Sequence, residues 1–135
     1  MSQRTLVLLK PDAVRRGLLG NILGRYEDKG LSVVAMDLRT IDAAKADEHY
    51  AEHVEKEWYP PLRDFVTGGP LVACVLEGDE AVEVVRAING ATDGRKAAPG
   101  TIRGDLSLSN RENLVHGSDS PESADREIKI WFPDL

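Results

Sequence analysis

The sequence has one cysteine in 135 residues and no long apolar run. Cys74 can form neither an internal disulfide nor a CxxC metal site, and its apolar surroundings, "LVACVLEG", predict a buried thiol. A membrane-spanning helix needs roughly 18–20 consecutive apolar residues, and the N-terminal apolar run already stops at Lys10 and Pro11. We therefore expect no membrane segment, no signal peptide and a reducing, cytoplasmic location.

Positive charge is also scarce. The chain carries 17 Lys and Arg residues against 23 Asp and Glu residues, which gives a formal net charge of −6. Stable binding to nucleic acid usually requires a basic face, so this balance argues against it. The glycine-rich phosphate motifs GxxxxGK[ST] and GxGxxG are absent from the sequence as well. A phosphate site would therefore have to gather its cations locally, without a P-loop.

The composition, 41% hydrophobic and 30% charged, is typical of a globular protein, and we expect one domain over residues 1–135. Apolar periodicity predicts strands at 5–9, 31–41, 71–78 and 114–116. It predicts helices at 12–30, from 42 to 53, from 61, at 79–89 and from 120 to 131. This order favours an α/β (α+β) fold of the ferredoxin-like βαββαβ type, with a four-stranded antiparallel sheet and helices on its faces.

Residue types add detail to these elements. Residues 90–105 are rich in Gly, Thr and basic residues without periodicity, which predicts a long functional loop. Val34, Met36 and Leu38 alternate with polar residues, which predicts a half-buried strand. The expected helix N-caps are Asp12, Asp42, Asp79 and Ser120.

The segment "NLVHGSDS" places a single histidine, His116, among small and hydroxyl-bearing residues. An imidazole with a pKa near about 6.5 is mostly unprotonated at neutral pH, so His116 could attack phosphorus and form a covalent intermediate. Ser118 could then hydrogen-bond a phosphate oxygen. The alternative is a partly buried strand histidine with an ordinary structural hydrogen bond.

A second segment, "APGTIRGD" (98–105), supplies hydroxyl and basic groups shortly before that histidine. Arginine binds phosphate oxygens in a bidentate manner, and lysine contributes a compact positive charge. Each of these residues alone is more often a solvated surface group, whereas together they could bind a polyphosphate. The residues concerned are Lys10, Arg86, Thr92, Arg95, Thr101 and Arg103.

The combination of "NLVHGSDS", "PGTIRGD", "LVLLKPDAVRRGLLG" and "HYAEH" closely resembles the nucleoside diphosphate kinase family over residues 5–132. The histidine segment and the "PGTIRGD" loop carry most of this resemblance. It implies a ferredoxin-like core and transfer of the γ-phosphate of a nucleoside triphosphate, usually ATP, to nucleoside diphosphates through a phosphohistidine. It also implies broad tolerance of the base and the sugar.

The resemblance implies catalytic roles for five residues. His116 would accept and return the phosphoryl group, while Lys10 and Tyr50 would lie beside the phosphate in transfer. Ser118 and Glu127 would arrange the catalytic histidine, with the carboxylate fixing the tautomer and orientation of the imidazole.

The resemblance also implies a nucleotide site in which Asn113 binds the ribose hydroxyl. The base platform departs from the family pattern, because two adjacent phenylalanines are replaced here by "WY" followed by two prolines. Trp58 would take the stacking position and Leu62 would close the pocket, although Trp58 could instead only pack the helical hairpin. The full nucleotide-binding set implied is Lys10, Trp58, Leu62, Arg86, Thr92, Arg103 and Asn113.

By the same resemblance, Mg²⁺ is the expected cofactor. It would arrive on the nucleotide phosphates without direct protein ligands, and Asp119 could reach it through water. The expected partners are ATP and other nucleoside tri- and diphosphates, and further copies of the chain, with a hexamer favoured and a tetramer possible.

Two other functions remain open from the residues alone. A histidine phosphocarrier would accept phosphate from a protein donor and would need no base platform. A nucleotide-sensing module would use the histidine only as a hydrogen-bonding group. His49 and His53 lie four residues apart in a predicted helix, but without a third ligand or an HExxH pattern we favour a structural or interface role for them.

Overall fold

The computed structural model describes residues 2–135 and contains one four-stranded sheet. All neighbouring strands are antiparallel, in the order β2-β3-β1-β4. The strands are β1 (Ser2–Leu9), β2 (Ser32–Arg39), β3 (Leu71–Asp79) and β4 (Val115–Gly117). The helices are α1 (Pro11–Arg15), α2 (Leu19–Asp28), α3 (Ala43–His49), α4 (Tyr59–Thr67), α5 (Ala81–Asn89), α6 (Ile102–Leu106) and α7 (Pro121–Trp131). The predicted ferredoxin-like sheet is confirmed.

The sheet has helices on both faces, and the central strand β1 shows this most clearly. Successive side chains of a strand point to opposite faces. Leu6 and Leu8 accordingly pack in the core beneath α3, α4 and α7, whereas Val7 and Leu9 pack against α2 and α5. All four side chains are at most 1% exposed, so both faces of this part of the strand are buried. Within residues 2–135, no helix has both the length and the apolar character that crossing a bilayer requires.

The predicted helix at 12–30 is wrong in its continuity and its cap. The structure breaks it into α1 and α2 at Gly17, whose φ of 70° lies in the left-handed region that glycine tolerates. Pro11 opens α1, because its missing N–H is no loss in a first turn, and Asp12 lies inside the helix. Asp79 is not an N-cap either, since it ends β3 and Glu80 precedes α5.

The predicted half-buried face of β2 is also wrong. Met36 is 55% exposed and Leu38 is 60% exposed, while Val34 is only partly buried. A register irregularity between Val33 and Ala35 interrupts the pairing of β2 with β3. Such a shift changes the face on which the following side chains lie, which a simple alternation cannot reveal.

Two predicted helix and loop boundaries differ in the structure, and in each case the residues at the start of a helix explain the difference. The helix expected near Pro61 begins at Tyr59, so both prolines fall in the first turn of α4. The loop predicted at 90–105 contains α6, which starts after Thr101. The Oγ1 atom of Thr101 accepts the Gly104 N–H at 2.9 Å and caps the helix.

Gly104 is required for close packing. A Cβ at this position would clash with the backbone carbonyl of Ala98. We expect Gly104→Ala to lower the free energy of unfolding by about 3 kcal/mol, because backbone atoms cannot yield as a flexible side chain can. Gly100→Ala is the control: its φ of 98° is left-handed but nothing lies within 4 Å, so strain alone should cost about 1 kcal/mol. Equal losses in urea titrations would contradict the steric explanation.

Candidate functional site

A cavity of about 970 Å³ lies beside β4, between α3, α5, α7 and the segments that flank α6. It collects residues from distant parts of the chain, and of the predicted site residues only Ser118 and Thr101 are not in its lining. The predicted residues that line it are Lys10, Tyr50, Trp58, Leu62, Arg86, Thr92, Arg95, Arg103, Asn113, His116, Asp119 and Glu127.

His116 is held by the C-terminal helix. It lies on β4, paired with Leu8, and its Nε2 atom is 2.8 Å from Oε1 of Glu127. Ser118 is fully buried and donates its hydroxyl to the same carboxylate oxygen at 2.8 Å. Because a carboxylate accepts, the arrangement favours a proton on Nε2 and leaves the lone pair on Nδ1. Nδ1 has no hydrogen-bond partner in the described part of the chain.

His49 is a buried neighbour of His116 that the sequence did not single out as a site residue. Its Nδ1 accepts the indole N–H of Trp131 at 2.9 Å. Its ring meets the His116 ring edge to face, with centroids 4.6 Å apart. Burial is the main reason that the pKa of His49 lies well below its ordinary value, and nearby positive groups lower it further. His49 is therefore an uncharged ring against the catalytic candidate.

His49, His116 and Glu127 have the spacing of a metal site, since their potential ligand atoms all lie within 4.8 Å of one another. The donors are unsuitable, however. The indole N–H occupies one nitrogen of His49, so the other nitrogen of the neutral ring carries the proton. Glu127 is likewise engaged with His116 and Ser118. Within the trio, His116 and Glu127 share a hydrogen bond and His49 packs its ring against His116, whereas His53 is not one of the three.

Lys10 stands at the end of β1 and is only 6% exposed. Its Nζ donates to Oδ1 of Asn113 at 2.8 Å. Burial and the positive charge of Arg103 lower the pKa of Lys10 to about 8, against the opposing effect of Asp12. Lys10 is therefore mainly a cation at neutral pH and loses its charge as the pH rises through about 8.

Arg103 is buried, and the backbone binds part of its guanidinium. It donates to the carbonyl oxygens of Asn113 at 3.1 Å, Gly90 at 2.9 Å and Val115 at 2.6 Å. A guanidinium has five N–H groups, so two remain for a ligand. Arg103 thus organises the segment before His116 while keeping donors and positive charge at the cavity.

The remaining polar residues lie nearer to solvent. Arg86 is exposed in the last turn of α5, and Thr92 is exposed in the following loop. The carbonyl oxygen of Thr92 accepts the Asn113 amide at 3.1 Å. Asp119 is exposed in the lining, and a hydrogen bond from Ser123 is the largest cause that lowers its pKa.

Aromatic residues form the outer wall. Trp58 is 49% exposed, so about half of its surface remains accessible after it has packed against its neighbours. The Lys56 ammonium lies 5.4 Å from its centre, and the His53 ring lies 5.1 Å away. Leu62 is half-buried in the same lining. Tyr50 packs edge-on against His49, with ring centroids 4.6 Å apart. Burial raises the pKa of the Tyr50 hydroxyl.

The fold and the cavity together define a class of protein: a ferredoxin-like α/β domain that presents a carboxylate-bound imidazole beside buried cations. Such a site suits the covalent transfer of an anionic group, because the imidazole presents the lone pair of Nδ1 and the positive charge is already in place.

Comparisons with known proteins identify the family. The nucleoside diphosphate kinase family model matches residues 3–135. A nucleoside diphosphate kinase of Nocardioides sp. is 82% identical over 135 residues and all of both chains. One of Cutibacterium acnes is 62% identical, over 98% of this chain and 96% of its own. The chain belongs to the nucleoside diphosphate kinase family, and it is a phosphotransferase that acts on nucleotides.

Solved structures agree with this assignment. The structure of a halophilic nucleoside diphosphate kinase from Halobacterium salinarum in complex with CDP has a TM-score of 0.96 at 47% identity, and the match covers 99% of this chain and 90% of that one. The Aquifex aeolicus nucleoside diphosphate kinase has a TM-score of 0.94 at 41% identity, over 98% and 96% of the two chains.

The buried, uncharged state of His49 makes stability depend on pH. Its pKa is lowered in the folded state, so below about pH 6.5 the unfolded chain binds a proton that the folded chain does not. We expect the free energy of unfolding to fall as the pH is lowered from 6.5 towards 5, by at most about 1.4 kcal/mol per pH unit from this residue. His49→Gln should remove this component in urea titrations, because glutamine has no proton to gain. His53→Gln is the control, and an unchanged dependence in His49→Gln would refute the assignment.

Proposed function

We propose that this enzyme transfers the γ-phosphate of ATP or another nucleoside triphosphate to nucleoside diphosphates by a ping-pong mechanism through phospho-His116. The observation that carries the proposal is the engagement of Nε2 by Glu127 at 2.8 Å, which leaves Nδ1 as the nucleophilic nitrogen. The phosphocarrier and the nucleotide sensor account less well for a cavity that also holds Trp58, Asn113 and several cations.

In the first step, the lone pair of Nδ1 attacks the γ-phosphorus. A P–N bond forms, the bond from phosphorus to the bridging oxygen breaks, and the nucleoside diphosphate leaves with the electron pair. The ring gains positive character, which the carboxylate of Glu127 stabilises through the Nε2 proton. In the second step, a terminal phosphate oxygen of another diphosphate attacks the same phosphorus, and the P–N bond breaks.

The cations would bind the charge of the substrate. Lys10 would lie beside the phosphate in transfer, and Arg86 and Arg103 would bind the other phosphates together with Thr92. Lys10 and Arg103 are buried, so their attraction for phosphate oxygens is screened less than that of surface groups. Asn113 would bind the ribose, with its side chain oriented by Lys10 and by the Thr92 carbonyl.

Trp58 and Leu62 would bind the base. Stacking on an aromatic face tolerates any base because every base has a π-face. The Halobacterium salinarum relative was solved with CDP, which supports a pyrimidine nucleotide as one ligand. We therefore propose broad base tolerance.

Mg²⁺ is the proposed cofactor, and it would supply charge neutralisation across the phosphate oxygens. The carboxylate of Glu127 in the lining is already hydrogen-bonded to His116. The exposed Asp119, in contrast, has a lowered pKa and stays ionised. This carboxylate at the mouth fits a metal that is held mainly by the nucleotide and reached through water. A dedicated cage of protein ligands is not needed.

We further propose a homo-oligomer, with a hexamer favoured over a tetramer. The exposed apolar side chains of β2, Met36 and Leu38, lie on an edge strand and would be covered by another copy. We also propose one catalytic domain over 1–135 and a cytoplasmic location, in which the free, buried thiol of Cys74 would remain reduced.

Labelling tests the covalent intermediate. Incubation with γ-labelled ATP should give alkali-stable, acid-labile label on the protein, and His116→Ala should abolish both label and exchange activity because no other residue carries the nucleophile. Steady-state kinetics with ATP and several diphosphates should give parallel double-reciprocal lines. Ser123→Ala serves as a nearby control. Label that never reaches a diphosphate would indicate a phosphocarrier, and absence of label would indicate a sensor.

The base platform has its own test. Trp58→Ala should raise KM for purine and pyrimidine diphosphates alike by roughly 5- to 150-fold, which corresponds to about 1–3 kcal/mol of lost stacking. Trp58→Phe should retain most of the affinity. An unchanged KM in the alanine variant would show that the indole only packs the hairpin.

A further inference from the structure

Leu114 has a backbone conformation that leucine rarely adopts. Its φ is 73°, in the left-handed region, although it is fully buried and has a branched side chain. It lies between Asn113 and His116, so its conformation sets where both of these residues are placed. Such a conformation persists only when surrounding contacts fix it.

The contacts that fix Leu114 come from the segment after β1. Its N–H donates to Oδ2 of Asp12 at 3.0 Å, and its carbonyl oxygen accepts the backbone N–H of Lys10 at 2.8 Å. Both peptide groups of the residue are therefore held by one short stretch of chain. The bond to Asp12 is the stronger kind when the carboxyl group is ionised.

Asp12 is costly to bury. It is 1% exposed, and its Oδ1 has no hydrogen-bond partner among residues 2–135. Burial raises its pKa, and the positive charge of Lys10 is the largest opposing influence. The same interaction raises the pKa of Lys10, which burial and Arg103 lower. The carboxylate and the ammonium group thus favour each other's charged state without a direct hydrogen bond.

We propose that Asp12 is a positioning residue for the transfer reaction, one that fixes the left-handed turn at Leu114 and keeps the ammonium group of Lys10 charged beside the phosphate. The inference rests on the proposed function, because it assigns Lys10 and His116 their roles in that reaction. It extends that function to a buried carboxylate that is absent from the cavity lining.

Charged and titratable groups from several elements surround Lys10. Arg103 of α6 opposes the charge of Lys10, and Asp12 of α1 supports it. Asn113 accepts from its Nζ, and His49 of α3 is an uncharged neighbour. Asp12 is the one carboxylate among these groups. Removing its charge should therefore make Lys10 lose its proton at lower pH.

Asp12→Asn tests both parts of the proposal. It keeps the shape of the side chain but removes the negative charge. We expect kcat to fall roughly 10- to 100-fold at neutral pH, since a displaced nucleophile reacts slowly. We also expect the alkaline limb of the kcat/KM profile to move down by about one pH unit. Asp28→Asn makes the same charge change at an exposed position of α2 and should leave both quantities unchanged.

Asp12→Glu separates the two roles and decides the matter if Asp12→Asn does not fold. Glutamate retains the charge but is one methylene too long to accept the Leu114 N–H in the same geometry. We expect a lower kcat with the alkaline limb where it is in the unsubstituted enzyme. An unshifted limb in folded Asp12→Asn, or an unaltered kcat in Asp12→Glu, would overturn the proposal. Labelling of His116 in the unsubstituted enzyme would still stand, so failure here is distinct from failure of the proposed function.

Discussion

The hydrogen bond between Nε2 of His116 and the Glu127 carboxylate is the interaction on which the site depends. It joins a strand of only three residues to the middle of the C-terminal helix. Without it, either ring nitrogen could carry the proton and the ring could turn. Ser118 donates a hydrogen bond to the Glu127 carboxylate, and His49 packs edge to face against the His116 ring and restricts its rotation. Packing and one hydrogen bond to a carboxylate thus orient the imidazole and set its tautomer.

Electrostatics explains how an acidic chain can accept a polyphosphate. At physiological salt, charges more than about 8–10 Å apart on the surface are largely screened. A cation in contact with a phosphate is worth about 4 kcal/mol at an effective dielectric constant of 20. The few buried cations therefore outweigh a net charge of −6 that is spread over the surface. Carbonyl oxygens bind Arg103 in place of water and lower the cost of keeping it inside.

Much of this could be predicted from the sequence. Apolar periodicity predicted the four strands and the sheet type, and the motifs predicted the residues that line the cavity. The failures come from non-local effects. The exposure of Met36 follows from a register shift that depends on β3, and the break at Gly17 interrupts a pattern that remains helical on both sides. His49 was missed because its partner, Trp131, lies 82 residues away, and no local spacing reveals such a pair.

The central position of β1 has a consequence for dynamics. This strand pairs with β3 and β4, both of its faces are buried, and Lys10 follows directly after it. Amide protons in such a strand exchange with solvent only when the whole domain opens. Lys10 is therefore anchored to a strand whose amide protons should exchange slowly. The half-exposed Trp58, in contrast, lies at the periphery and can fluctuate while Lys10 and His116 stay in place.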